Sequence, residues 1–414
     1  MRTWPKPWVA CQRRKCTALT WLPVLCTKLL RTIATSIMRI KNKGQATRVV
    51  AAMSGGVDSS TAAALLVEEG YQVIGVMMRL WAEGGEGGAT NRCCSPEAVE
   101  DARHICQILD IPFYLINYEK EFKHHVVDYF IHEYANGRTP NPCLACNRHI
   151  KFGLLLRRTL SLDAQYLATG HYARVRQVNS HYPSATLRRG SGQGSGHCQL
   201  LKGVDRRKDQ SYALYMLGQE ELSHLLFPLG DYTKDEVRAI ALKRRLPVAE
   251  KAESQELCFV HDNDYRRFLR THVPEAIQPG PIVDTAGRVI GQHKGLPFYT
   301  IGQREGMGIA APEALYVLEM DAARNAIVAG TKAELGRQDL IAHQVRFVSG
   351  KAPESPMDVT AKIRYKAVEA KATLTPVDEN TVALTFVEPQ RDITPGQGVV
   401  FYQGEVVLGG GIIA

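Results

Sequence analysis

Residues 49–60 read VVAAMSGGVDSS, a short apolar run set against two glycines, an aspartate and three serines. The apolar part, Arg48 to Met53, reads as a buried strand, and from Ser59 to Gly70 the alanines and leucines recur at helical spacing. A strand therefore meets a helix N-terminus across Ser54, Gly55, Gly56, Val57 and Asp58. Such a junction presents backbone N–H groups and the positive end of a helix dipole, and its glycines let an anion approach the main chain closely. It is suited to phosphate. It matches neither of the common nucleotide loops, because no Lys-Ser/Thr pair follows the last glycine and no third glycine completes a dinucleotide fingerprint. The serines instead offer hydroxyls to phosphate oxygens, and Asp58 offers a carboxylate to Mg²⁺.

At 414 residues and 45% hydrophobic, the chain can bury a large core and has room for two or three domains. No apolar run is long enough to span a membrane. The net charge of +9 points to a polyanionic partner, but eleven Lys and Arg lie in the acid-free stretch 1–57, so the rest is near neutral. An RNA site must then come from local clusters. The basic leader, 1–46, reads as an organelle transit peptide, or as sequence preceding a start at Met38; Cys16 to Cys26 is faintly like a secretory apolar region. On every reading it is excluded from the fold.

Strands expected at 48–53, 72–78, 112–117 and 166–169 alternate with helical patterns up to about residue 261, which predicts an α/β unit with an open parallel sheet and its ligand at the strand C-termini. Thr233-Lys-Asp-Glu236 is a capping box opening another helix. Residues 179–196, rich in Ser, Gly and Arg, read as the tip of a hairpin. A small mixed unit with one helix and a hairpin around Asp284-Thr-Ala-Gly287 is expected over 262–336. Short alternating runs such as Val359 to Tyr365 and Thr381 to Val387 predict a C-terminal β-barrel over 337–414.

Ten cysteines in a chain this long do not make a disulfide scaffold, and Cys11, Cys16 and Cys26 lie in the leader. Cys106 falls in an amphipathic helix after Ser95-Pro96 and reads as a small core residue. Cys93 and Cys94 read as structural, and Cys198 as incidental. Cys143 and Cys146 sit in GRTPNPCLACNRHIKF, residues 137–152, where a proline-rich loop leads into a helix expected from Ile150 to Leu160. Arg148, His149, Lys151 and a nearby helix N-terminus favour a thiolate at Cys146. A structural zinc is disfavoured, since a second Cys pair is absent.

Ser-Gly-Gly-Val-Asp-Ser resembles the PP-loop of the N-type ATP pyrophosphatases, which cleave ATP between the α- and β-phosphates and transfer AMP to a substrate oxygen. Further along, NPCLACN (141–147), ATGHYA (168–173), KDQSY (208–212), CFV (258–260), YTIGQR (299–304) and IRYK (363–366) resemble, in order and spacing, the motifs of the tRNA-specific 2-thiouridylase family. The resemblance runs from about Val49 to the C-terminus.

It implies that the 2-carbonyl oxygen of a wobble uridine is adenylated and then replaced by sulfur. ATP with Mg²⁺ would be held by Ala52, Met53, Ser54, Gly55, Gly56, Val57, Asp58 and Ser59, with Met78 and Gly170. Cys258 would carry sulfur as a persulfide, and Cys146 would attack it and form a disulfide with Cys258, which is ordinary thiol–disulfide exchange. Contacts to tRNA would come from Asn141, Pro142 and Cys143, from His171, from Lys208, Asp209 and Gln210, and from Arg364, Tyr365 and Gln397. The implied partners are tRNA and a sulfur donor such as a cysteine desulfurase or sulfur carrier protein, in the cytoplasm.

One departure stands out. The family's best-known pattern has Asp where this chain has Cys143, so Cys143, Cys146 and Cys258 form an alternative ligand set for a [4Fe-4S] cluster carrying sulfide. Two further alternatives are a PP-loop synthetase for a small molecule and a tRNA-binding protein without catalysis. The first leaves the thiols idle. The second leaves the PP-loop idle.

Overall fold

Apolar and β-branched residues fill Arg48–Met53 (β1), Gln72–Arg79 (β2), Phe113–Asn117 (β3), Tyr166–Ala168 (β4) and Leu225–Leu226 (β7), and these pair in parallel in the order β3-β2-β1-β4-β7. The computed structural model describes residues 47–83, 95–178, 197–251 and 257–414. The leader, Cys93, Cys94 and the hairpin tip at 179–196 lie outside those residues. Among the described residues no helix is long and apolar enough to cross a membrane.

The strand order reverses between β1 and β4, so the crevice beyond their C-terminal ends is the natural ligand position of an open α/β sheet. Helix α1, Val57–Glu68, starts two residues before the expected position and is buried over most of its length. Helix α2, Pro96–Ile108, begins where its sequence says. Ser95 Oγ accepts from Ala98 N at 3.2 Å, and Pro96 takes the first turn, where no N–H is needed. Cys106 is a core residue as expected, and burial pushes its thiol up to about 11, away from reactivity.

The cysteine-bearing helix begins earlier than its sequence suggests. Pro142 opens it instead of ending a loop, with Asn141 Oδ1 accepting from Cys143 N at 3.1 Å. Cys146 is therefore one turn inside, at the start of a π-helical stretch, Cys146–Leu155. Such widened turns are rare and are frequently found at functional sites.

Residues 262–336 supply the helix Tyr265–His272 and the strands Gly280–Val283 (β8), Val289–His293 (β9), Tyr316–Asp321 (β10) and Ala326–Gly330 (β11), ordered β10-β11-β8-β9. Arg267 ties this helix to the segment after β2: its guanidinium donates to both Glu83 oxygens at 2.6 Å and to Asp262 at 2.6 and 3.0 Å. The planar fork matches two carboxylates at once.

The C-terminal barrel consists of Arg337–Phe347 (β12), Met357–Lys362 (β13), Ala370–Asp378 (β14), Thr381–Gln390 (β15), Gly398–Gln403 (β16) and Val406–Ile413 (β17), closed by β12 pairing with β17. The strand expected through Tyr365 ends at Lys362. Ala173–Val178 (β5) and His197–Lys202 (β6) pair antiparallel on either side of residues 179–196, as a hairpin there requires. The hairpin extends the barrel sheet through β6–β17 pairing, with Val406 opposite Leu201 and Val407 opposite Leu200. Leu200, Leu201 and Val407 are buried, so this junction is part of the core.

Candidate active site

Gly55 has φ +65°, and a Cβ there would run into the Ala98 carbonyl, so only glycine lets the chain turn from β1 into α1 with α2 packed behind it. Gly170, just beyond β4, faces the same loop. A Cβ on it would sit 3.0 Å from the Asp58 carbonyl carbon and the Ser59 nitrogen. The loop's hydroxyls are organised among themselves: Ser59 Oγ accepts from Ser54 N at 3.2 Å and donates to Gly56 O at 3.2 Å. Ser54 is exposed, whereas Ser59 is buried. Ala52 and Met53 end β1, and Met78 ends the buried run of the neighbouring β2. The residues assigned to ATP thus surround one strand-to-helix junction at the switch point.

Asp58 is held by two residues that the sequence did not single out. Lys234 Nζ donates to its two carboxylate oxygens at 2.7 and 2.9 Å, and Tyr172 OH donates to Oδ1 at 2.8 Å. Lys234 had been legible only as the first residue after a capping threonine, and Tyr172 only as a neighbour of His171. Thr233 and Glu236 do form the expected capping box, and Lys234 N donates to Asp205 Oδ2 at 3.0 Å.

His171 is buried beside Phe152 and Phe227, and its Nδ1 lies 2.7 Å from Thr169 Oγ1. Burial first, and then the Lys151 charge, hold its imidazole well below the usual range, so it is neutral at physiological pH. Its place is at the loop wall, among rings.

Cys146 is buried in the main apolar cluster, and Cys258 packs against the same cluster half-buried. Their segments flank one helical rod, 119–135. Phe259 meets Phe122 and Phe130 of the rod edge-on at 6.1 and 5.2 Å, and His149 stacks on its His125 at 4.7 Å. Cys143 is exposed. Among the described residues no three His, Cys, Asp or Glu side chains are gathered so as to hold a metal ion. Cys143, Cys146 and Cys258 are thus not assembled as a cluster cradle.

The residues assigned to tRNA separate into surface groups and internal struts. Arg206 and Arg207 are exposed and Lys208 is half-buried. Asp209 is buried, accepting from Gly203 N, Ser211 N and Ser211 Oγ at 2.9 to 3.1 Å, and Gln210 Oε1 accepts from Tyr172 N at 3.0 Å. Gln397 Nε2 donates to Thr139 O at 2.7 Å, and Thr139 N donates to Pro395 O at 3.0 Å. The barrel thereby braces the approach to Asn141, Pro142 and Cys143.

Arg364 donates from Nη2 to Ile301 O at 3.0 Å and to Thr394 Oγ1. Its guanidinium therefore ties the central unit to the barrel. Arg364→Ala is expected to lower unfolding stability by about 1.5–3 kcal/mol, the range for charge-assisted bonds. Tyr365→Ala, at an exposed ring edge-on to Tyr212, is expected to cost about 1 kcal/mol or less while weakening tRNA retention. Thermal unfolding and filter binding on both variants check this.

Comparison with known proteins accounts for most of the chain. Residues 47–262 match the model described as tRNA methyl transferase HUP domain, 266–331 that described as tRNA methyl transferase PRC-barrel domain, and 337–413 the aminomethyltransferase beta-barrel domain. The tRNA-specific 2-thiouridylase MnmA of Roseiflexus castenholzii is 51% identical over 89% of this chain and 99% of its own length. The protein of the same name from Moorella thermoacetica is 52% identical over 87% of this chain and 98% of its own. On that extent of identity, the chain belongs to the tRNA-specific 2-thiouridylase family.

Proposed function

We propose that this protein carries out ATP-dependent 2-thiolation of the wobble uridine of tRNA. The observation that carries the reading is the pairing, in a chain 51% identical to a named tRNA-specific 2-thiouridylase, of a phosphate-suited loop with two thiol segments flanking one helical rod. In this reading residues 47–261 activate the substrate, while 262–336 and 337–414 hold the tRNA. The exposed Ser54, the backbone of Gly55 and Gly56, and Gly170 fit a nucleotide triphosphate; Asp58 fits its Mg²⁺, which supplies charge neutralisation at the pyrophosphate leaving group. A carbonyl oxygen leaves poorly, and its conversion to an AMP ester gives C2 a good leaving group.

The sulfur steps balance with two thiols. Cys258 arrives as a persulfide, loaded by an external sulfur donor. The Cys146 thiolate attacks the Cys258 sulfur, forming the Cys146–Cys258 disulfide and releasing hydrosulfide. Hydrosulfide adds at C2, and AMP departs with the former carbonyl oxygen. A two-electron thiol reductant then restores both cysteines. Such chemistry suits the reducing cytoplasm.

The test is thiolation of unmodified tRNA by protein purified anaerobically and assayed for iron and labile sulfide, with and without an iron chelator. Formation of 2-thiouridine with ATP consumption that depends on tRNA, and no dependence on iron, is the expected result. Activity that tracks iron would replace the persulfide route by a cluster on Cys143, Cys146 and Cys258. AMP formation without tRNA would replace the whole reading by a small-molecule synthetase.

A further inference from the structure

Asp58 is the one acid between Ser54 and Ser60, and Lys234 holds both of its oxygens. The two partners differ in exposure: the Lys234 side chain is 6% exposed and that of Asp58 34%. Solvent therefore reaches the carboxylate but scarcely the ammonium. Drawing Asp58 away would take both of these carboxylate bonds from a buried ammonium, which is costly unless another anion makes them in its place. The loop's sequence supplies no lysine of its own after the glycines. Lys251, another ammonium at the loop, donates to Gly55 O at 3.1 Å but is paired with Asp101 at 2.6 Å and is 42% exposed.

We propose that Lys234 is a positioning residue that exchanges partners as the nucleotide binds. It holds Asp58 in the ligand-free protein. When a divalent cation and a pyrophosphate-bearing nucleotide enter together, Asp58 turns to the cation and Lys234 turns to a phosphate oxygen. Charge is balanced before and after, because one internal pair becomes two external ones. The Lys234 main chain is pinned through its N–H to Asp205 and by the Thr233–Glu236 box, so the exchange needs only side-chain movement. Metal alone, or pyrophosphate alone, must break the internal pair without satisfying both halves of it. The inference rests on the ATP-dependent reading for the identity of the anion.

The test uses the full chain with each ligand separately: Mn²⁺ alone, followed by electron paramagnetic resonance, and inorganic pyrophosphate alone in EDTA, followed by calorimetry. Lys234→Met is expected to bind Mn²⁺ about tenfold tighter and pyrophosphate about tenfold weaker than the natural protein, in line with coupling energies of paired residues. Asp58→Asn is expected to do the reverse. Opposite signs are the signature, since a lysine that merely supports the fold would weaken both ligands together. Equal losses, or unchanged affinities in a variant of normal melting temperature, overturn the proposal. Lys234→Gln is read in the same way if the methionine variant does not fold. If neither folds, Asp58→Asn decides: tighter pyrophosphate supports the exchange, and unchanged or weaker pyrophosphate overturns it. Failure of tRNA thiolation would sink the proposed function and leave these two binding measurements standing.

Discussion

Cys146→Ser and Cys258→Ser are each expected to reduce 2-thiouridine formation by about 10³-fold or more, the scale on which losing a nucleophile acts. Pyrophosphate release should survive in both, limited to one turnover per tRNA because the adenylated base has no sulfur to receive. Nucleoside mass spectrometry and a pyrophosphate assay on the same samples separate the two steps. Structural damage should be small. Cys146 has its place in the second turn of a helix capped by Asn141, and a serine fills nearly the same volume there. Cys258 is half-buried beside Phe259, whose ring, packed on Phe122 and Phe130, anchors the segment with or without the thiol. Thiolation that survives in either variant removes the role given to that residue.

The complementary loss is expected at Asp58. Asp58→Ala should lower pyrophosphate release by about 10²–10³-fold, as for removal of one preorganised group at a site of developing charge. Persulfide loading on Cys258 should be untouched, which radiolabelled sulfur on the denatured protein would reveal. An alanine variant that still adenylates at the natural rate would show that the carboxylate is not needed for the pyrophosphate step. The substitution also removes the two bonds between Lys234 and Asp58, so the melting temperature is measured beside the activity.

The parallel sheet was legible because its strands are continuous apolar runs, and the phosphate loop because glycine has few reasons to occur twice at a strand-to-helix turn. The start of the cysteine-bearing helix was misread for a local reason: Pro142 looks like a loop residue unless Asn141 is recognised as its cap. Lys234 was hidden because its role depends on a partner 176 positions away. Arg364 reads in the sequence as a tRNA contact beside the Tyr365 ring, and nothing local announced that its guanidinium reaches Ile301 and Thr394. Asp209 and Gln210 carry the same lesson. Their motif is recognisable, yet their side chains serve the main chain of Gly203, Ser211 and Tyr172. The sheet that the β5–β6 hairpin joins was not legible, because pairing between distant strands is set by packing that no short window contains.

That hairpin makes the ATP-binding unit and the barrel neighbours in one hydrogen-bonded surface. A chain shortened to end before β12 would expose the open edge of β6, together with Leu200 and Leu201. An uncovered, apolar edge invites pairing with other copies. The barrel therefore serves the rest of the molecule as a guard against self-association, and trimming this enzyme to its nucleotide-binding half trades a smaller protein for a sticky one.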